Sequence, residues 1–102
     1  MKYEVDFDMN MAAEFFAELK SLVDFARESK MHNWFDQASG YVNAFCKTLK
    51  LLRWFGADTE VETESFEVRY AAIYKDEKRY VIVRDGKLDA SVLNNVIYQF
   101  AE

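Results

Sequence analysis

Residues 58–74 read DTEVETESFEVRYAAIY, and this alternating stretch predicts that the chain changes here from helix to sheet. Glu60, Glu62 and Glu64 occupy every second position, which is the period of an extended strand. After Ser65 the apolar residues occupy the other parity. Such a change requires a bulge, a bend or a turn, and of these we expect a kinked or bulged strand rather than two strands that meet.

The same stretch carries the net charge of the chain. Residues 58–67 contain five acidic residues and no lysine or arginine, while the other 13 acidic residues balance 13 basic ones, which leaves a net charge of −5. Side chains of one parity project from one face of a strand about 6.7 Å apart. Glu60, Glu62 and Glu64 therefore form a ladder of negative charge.

One strand and two helices are predicted before this stretch. The first eight residues alternate apolar with charged side chains, which indicates a half-buried strand. From residue 9 to about residue 29 the apolar residues fall on one arc of a helical wheel, so a helix follows, with Asp8 or Asn10 as its cap.

The second helix is predicted to run from Asn33, as N-cap, to Phe55, with Gly56 as the residue that ends it. Its apolar arc includes Cys46, which we expect to pack as a small hydrophobic side chain. We also expect the ring of Trp34 to lie in the core.

After residue 74 the sequence indicates a hairpin and a last helix. Residues 74–79 form a polar turn, and residues 80–83 are a continuous apolar run typical of a strand that is covered on both faces. Asp85-Gly86 is a tight-turn signal, and Asp89 is the predicted N-cap of the final helix.

These elements predict an α+β fold. A mostly antiparallel sheet of three to four strands, in the order β-α-α-β-β-(β)-α, packs against about three helices. With 102 residues, no proline and only three glycines, residues 1–102 are expected to form one two-layer domain.

Composition limits the location of the chain and its chemistry. No apolar run suggests a signal peptide or a membrane span, and one cysteine forms no internal disulfide, so we expect a cytoplasmic protein. His32 is the only histidine, and the acidic stretches lack the glycine and the final glutamate of a calcium loop. We therefore expect no enzyme activity, no metal and no cofactor.

The acidic ladder predicts a non-catalytic protein-binding module whose partner has a basic surface. The net charge argues against direct binding to nucleic acid, and the state of the chain, monomer or homodimer, is left open. An alternative is that acidic and basic blocks neutralise one another inside the fold. The candidate partner-binding residues are Asp58, Glu60, Glu62, Glu64, Glu67 and Trp54.

Trp54 joins this set because it lies beside Lys47, Lys50 and Arg53, although we expect its ring to fold back over the following strand. Binding of nucleic acid through these four residues is a further alternative, which the net charge opposes. A last alternative is a homo-oligomeric structural or regulatory domain. In that case the acidic residues guard an edge strand against pairing, and apolar residues make the contacts.

In size, charge and composition the chain resembles phage-encoded inhibitors of bacterial defence nucleases, such as anti-CRISPR proteins. The resemblance extends over the whole chain and involves no motif. It implies an inhibitor that mimics nucleic acid and occupies part of a phosphate-binding groove. Each DNA strand carries one phosphate per about 3.4 Å of helix axis, and the ladder offers half that linear density.

Overall fold

Two long helices precede the sheet in the computed structural model, which describes residues 9–100. The strand predicted for the first eight residues lies outside this range. Helix α1 spans Met9–Met31 and helix α2 spans Phe35–Lys50. A 3₁₀ helix, Leu51–Phe55, continues α2, and Gly56 ends it in the left-handed conformation, as predicted.

The start of α2 differs from the prediction. Trp34, not Asn33, is the N-cap residue, and no side chain caps the helix. Asn33 has a φ of 62°, which lets the chain reverse between the helices. Trp34 is 54% exposed, so the expectation that its ring lies in the core is wrong. Asn10 lies within α1 and therefore does not cap it.

Four antiparallel strands follow and form a meander. The sheet order is β1-β2-β3-β4, and helix α3, Ala90–Phe100, is the last element that the structure describes. The described elements therefore run α-α-β-β-β-β-α, which confirms the α+β prediction. The strands are β1, Asp58–Glu64; β2, Glu67–Lys75; β3, Lys78–Arg84; and β4, Lys87–Leu88.

The predicted kink at Ser65 is wrong, because the chain reverses there. Ser65 and Phe66 both have positive φ, and Glu64 pairs with Glu67 across them. Two positive φ values in a two-residue loop are the mark of a type I′ hairpin, whose twist matches that of its strands. The parity changes because two turn residues separate two strands. The register shift of this pair lies further in, between Glu62 and Thr63.

The hairpin between β2 and β3 uses the same kind of turn and offers a stability test. Asp76 and Glu77 have φ values of 53° and 64°, a region that disfavours residues with a Cβ atom by about 1–2 kcal/mol. Glycine avoids that cost but loses more entropy on folding. We therefore expect Glu77→Gly to raise the free energy of unfolding by about 0.5–1 kcal/mol, measured by urea denaturation.

Gly86 provides the control for this substitution. Its φ is 79°, and a Cβ atom there would lie 3.3 Å from Arg69 Nη1. Gly86→Ala is therefore expected to destabilise the fold by about 1 kcal/mol or more. If Glu77→Gly destabilises the protein by as much, positive φ is not the property that limits these turns.

The three helices pack on one face of the sheet. Phe16, Phe45 and Leu49 from the helices are fully buried together with Ile73 and Val83 from the strands. Cys46 is half-buried against this core, in agreement with its predicted packing, and burial raises the pKa of its thiol. Asp89 caps α3 as predicted, because its Oδ1 accepts hydrogen bonds from the amides of Ser91 and Val92.

Candidate functional site

The side chains of β2 reveal that the sheet has one face turned away from the helices. Ala71 and Ile73 belong to the apolar core, whereas Ala72 between them is fully buried but lies outside that core. Neighbouring residues of a strand point to opposite faces. Ala72 and its cross-strand partners Glu60 and Val81 therefore lie on the other side, which we call the open face.

Residues in register build three parallel rows on the open face. Tyr74 pairs with Asp58 on one side and Arg79 on the other, and Tyr70 pairs in the same way with Glu62 and Arg84. Glu60, Ala72 and Val81 lie between these two sets. The open face thus has an acidic row on β1, a tyrosine row on β2 and an arginine row on β3. The acidic row is Asp58, Glu60 and Glu62.

Hydrogen bonds hold the tyrosines between the two charged rows. Tyr74 Oη donates to Glu60 Oε2 over 3.4 Å. Arg79 Nη2 donates to the hydroxyl of Tyr70, and the guanidinium lies 5.5 Å from the centroid of that ring. The bond to Tyr70 raises the pKa of Arg79. Ala72 lies between the two tyrosines on β2 and is fully buried.

The acidic row has no basic partner among residues 9–100. The salt bridges of this part of the chain join other groups, and none includes Asp58, Glu60 or Glu62: they are Lys20–Asp24, Lys30–Glu67, Arg69–Glu67 and Lys75–Asp76. The idea that neighbouring blocks neutralise one another therefore does not apply to these three acids within residues 9–100. Their negative potential is directed at solvent.

The structure separates Glu67 and Trp54 from this row, whereas Glu64 keeps the parity of the row at the end of β1. The carboxylate of Glu67 lies 2.9 Å from Arg69 Nη1 and 3.7 Å from Lys30 Nζ, and its side chain is only 14% exposed. It joins β2 to α1 as part of the fold. Glu64 lies opposite Glu67 at the end of the hairpin.

Trp54 lies on another element, the 3₁₀ helix, where it is 85% exposed. The expectation that its ring folds back over the following strand is therefore wrong. The structure instead places Tyr70 and Tyr74 beside the acidic row. The alternation of residues along β2 predicts that Tyr70 and Tyr74 share a face with the acids, but only once the turn at residues 65–66 has been located.

A second exposed surface lies at the junction of α1 and α2. It consists of Met31, Trp34, Phe35 and Phe66, and we call it the aromatic patch. The rings of Phe35 and Phe66 are 4.8 Å apart, and Trp34 stacks on His32 at 4.6 Å. Phe66 joins the patch although its φ of 67° is unfavourable for a bulky residue. The type I′ turn requires this conformation, and the turn thereby brings the ring of Phe66 beside Phe35.

Within residues 9–100, no three or more histidine, cysteine or acidic side chains form a group able to hold a metal ion. Over the same range, none of the helices is both long and apolar enough to cross a membrane. No protein family, curated protein or solved structure matches this chain.

Proposed function

We propose that the chain is a non-catalytic protein-binding module whose open face engages a basic surface of a nucleic-acid-handling protein. One observation carries the proposal: three exposed carboxylates of one strand lie in a row and have no basic partner within residues 9–100. Such a row attracts a basic surface over a distance of about a Debye length, 8–10 Å at ordinary salt.

The tyrosine row supplies binding energy that the exposed charges alone do not provide. Exposed charge pairs contribute only about 0.2–1 kcal/mol each, whereas tyrosine and arginine are the residues that most often dominate binding energy. Tyr70 and Tyr74 are half-buried and fixed by Arg79 and Glu60, so little side-chain entropy remains to be lost on binding. The acidic row steers the partner, and the tyrosines provide contact area.

Mimicry of nucleic acid is the sharper form of this proposal. The acids of the row are spaced about 6.7 Å apart, close to twice the 3.4 Å of helix axis that each phosphate of one DNA strand occupies. Along that axis the row offers half the linear charge density of one DNA strand, which suits it to occupy part of a groove that binds phosphates. This is the mode of action implied by the resemblance to phage-encoded inhibitors of defence nucleases.

Competition with DNA tests the mimicry. Proteins are captured from a cell lysate on the immobilised chain at about 50 mM salt, and are then eluted either with duplex DNA or with salt. We expect DNA to release the captured partner, because both bind one basic groove. Capture that resists excess DNA contradicts mimicry, and failure to capture any basic protein contradicts the proposal as a whole.

The aromatic patch supports a second candidate function, a homodimeric structural or regulatory domain. Met31 is 80% exposed, and exposed clusters of aromatic and methionine side chains are typical of interfaces. The patch is built from the junction of α1 and α2 and from the β1–β2 turn, so its residues are distinct from those of the acidic row. In this case the acids of β1 only protect the edge of the sheet.

Mass measurement distinguishes this second candidate. If it is right, light scattering after size exclusion gives a dimer at high micromolar concentration, and Trp34→Ala restores the monomer. Trp54→Ala removes an equally large exposed ring elsewhere and leaves the dimer intact. A parent chain that is monomeric at this concentration excludes the homodimer.

A further inference from the structure

The end of α2 carries a surface that the proposed function does not use. The α-helix passes into a 3₁₀ helix, in which residues three apart lie one above the other. Lys50 and Arg53 therefore form one row, and Leu51 and Trp54 form the next. These four residues line one shallow groove. Together with Lys47, one turn earlier, we call them the basic knob.

The basic knob is open to solvent and carries unpaired charge. Its three cations are exposed, and none of them has a carboxylate within 4 Å in the part of the chain that the structure describes. Trp54 is the most exposed large apolar side chain of residues 9–100, and Leu51 beside it is 50% exposed. A flat ring beside three cations is suited to a ligand that has both anionic and aromatic groups.

We propose that the basic knob binds single-stranded nucleic acid. Trp54 stacks on an unpaired base, and Lys47, Lys50 and Arg53 neutralise neighbouring phosphates. The net charge of −5 does not prevent this, because screening limits each charge to about 8 Å at physiological salt. The charges within that range of the groove are the ones that matter.

The position of the acidic row favours a single strand over other polyanions. Trp54 and Asp58 are four residues apart, so at most about 14 Å of chain separates the basic knob from the start of the acidic row. A membrane or a DNA duplex is too broad and stiff to contact the knob without approaching these acids. A single strand bends away after a few nucleotides. A second copy of the chain is disfavoured because it also carries −5.

Fluorescence of Trp54 tests the proposal directly. The chain has two tryptophans, so Trp34→Phe leaves Trp54 as the sole reporter. This variant is titrated with oligodeoxythymidine of about 12 nucleotides at several salt concentrations. We expect the emission of Trp54 to be quenched. The logarithm of the binding constant should fall with the logarithm of salt concentration with a slope of about −2 for three neutralised phosphates.

Three variants test whether the residues of the basic knob bind the oligonucleotide. Affinity is measured by the fluorescence anisotropy of a labelled oligonucleotide. Trp54→Ala should weaken it roughly 5- to 150-fold, the range for loss of one stacked base. Lys50→Gln with Arg53→Gln should reduce the magnitude of the salt slope by about 1.4. Lys78→Gln with Lys87→Gln makes the same change of charge at exposed sites outside the knob, and it should preserve most of the affinity and the slope.

Several results overturn the proposal. These are absence of quenching at low salt, an equal loss of binding in the Lys78 and Lys87 control, and tighter binding to duplex DNA or to phosphatidylserine vesicles than to the oligonucleotide. Self-association of the parent chain that the knob variants abolish also overturns it, since a second copy is then the ligand. Because the acidic row is unchanged in all of these variants, the outcome is independent of the proposed function.

Discussion

Phe16→Ala is expected to lower the free energy of unfolding by about 3–5 kcal/mol, the usual cost of removing a buried phenylalanine ring. Phe16 is fully buried in α1, and its ring lies 5.9 Å from that of Phe100 in α3. Alanine leaves a cavity where these helices meet above the sheet. Because domains of this size have only about 5–15 kcal/mol of stability, this loss is a large fraction of the total and should lower the melting temperature of the variant markedly.

Urea denaturation followed by circular dichroism measures this loss. Phe25→Ala is the matched control, because Phe25 is on the same helix but is 47% exposed, and we expect it to cost about 1 kcal/mol or less. Equal destabilisation by both substitutions would mean that the contact between α1 and α3 does not support the core. A smaller slope of the free energy of unfolding against urea concentration would instead indicate a change in the unfolded state.

The second large effect concerns binding. Replacing the acidic row by Asp58→Asn, Glu60→Gln and Glu62→Gln is expected to weaken capture of the basic partner roughly 10- to 100-fold at low salt, if each charge contributes about 0.5–1 kcal/mol. The loss should shrink as salt is raised, since screening already weakens the parent. Glu64 is left unchanged because it lies at the hairpin end, opposite Glu67.

A control variant with the same change of net charge distinguishes the effect of the acidic row on binding from the effect of the net charge of the whole chain. Glu14, Glu18 and Glu28 are exposed on α1, and their replacement by glutamine also removes three negative charges. Titration calorimetry with the purified partner should show a loss only for the acidic row. If both triple variants bind equally well, the acids do not contact the partner. If the acidic-row variant aggregates and still binds, the acids guard the edge of β1.

The helices, the stop at Gly56, the cap at Asp89 and the class of fold were predictable because their signals are local. The apolar arc of α2 requires only a period of 3.6, and Gly56 and Asp89 act within one turn of the helix ends that they mark. The errors occurred where two local signals compete. Asn33 is a favoured N-cap residue and also one that tolerates positive φ, and in this chain it adopts the second role.

Ser65 and Phe66 show why the site was only half predictable. The period of two predicted a ladder of Glu60, Glu62 and Glu64, two of which belong to the acidic row, but a kink and a type I′ turn produce the same change of parity in the sequence. The turn and the bulge opposite Glu62 determine which tyrosines lie beside the acids. Both features depend on how β1 pairs with β2. The exposure of Trp54 likewise depends on how the 3₁₀ helix packs against its neighbours.

The sequence was therefore sufficient for the α+β class, for the strand that bears the acidic row and for the core face of each helix, because hydrophobic periodicity acts between near neighbours. Register and packing join residues that are distant in the chain. They placed Tyr70 and Tyr74 beside the acidic row, tied Glu67 to Lys30 and Arg69, and exposed Trp54 and Phe66. A short window of sequence does not contain these pairings, because their free energy depends on the whole folded chain.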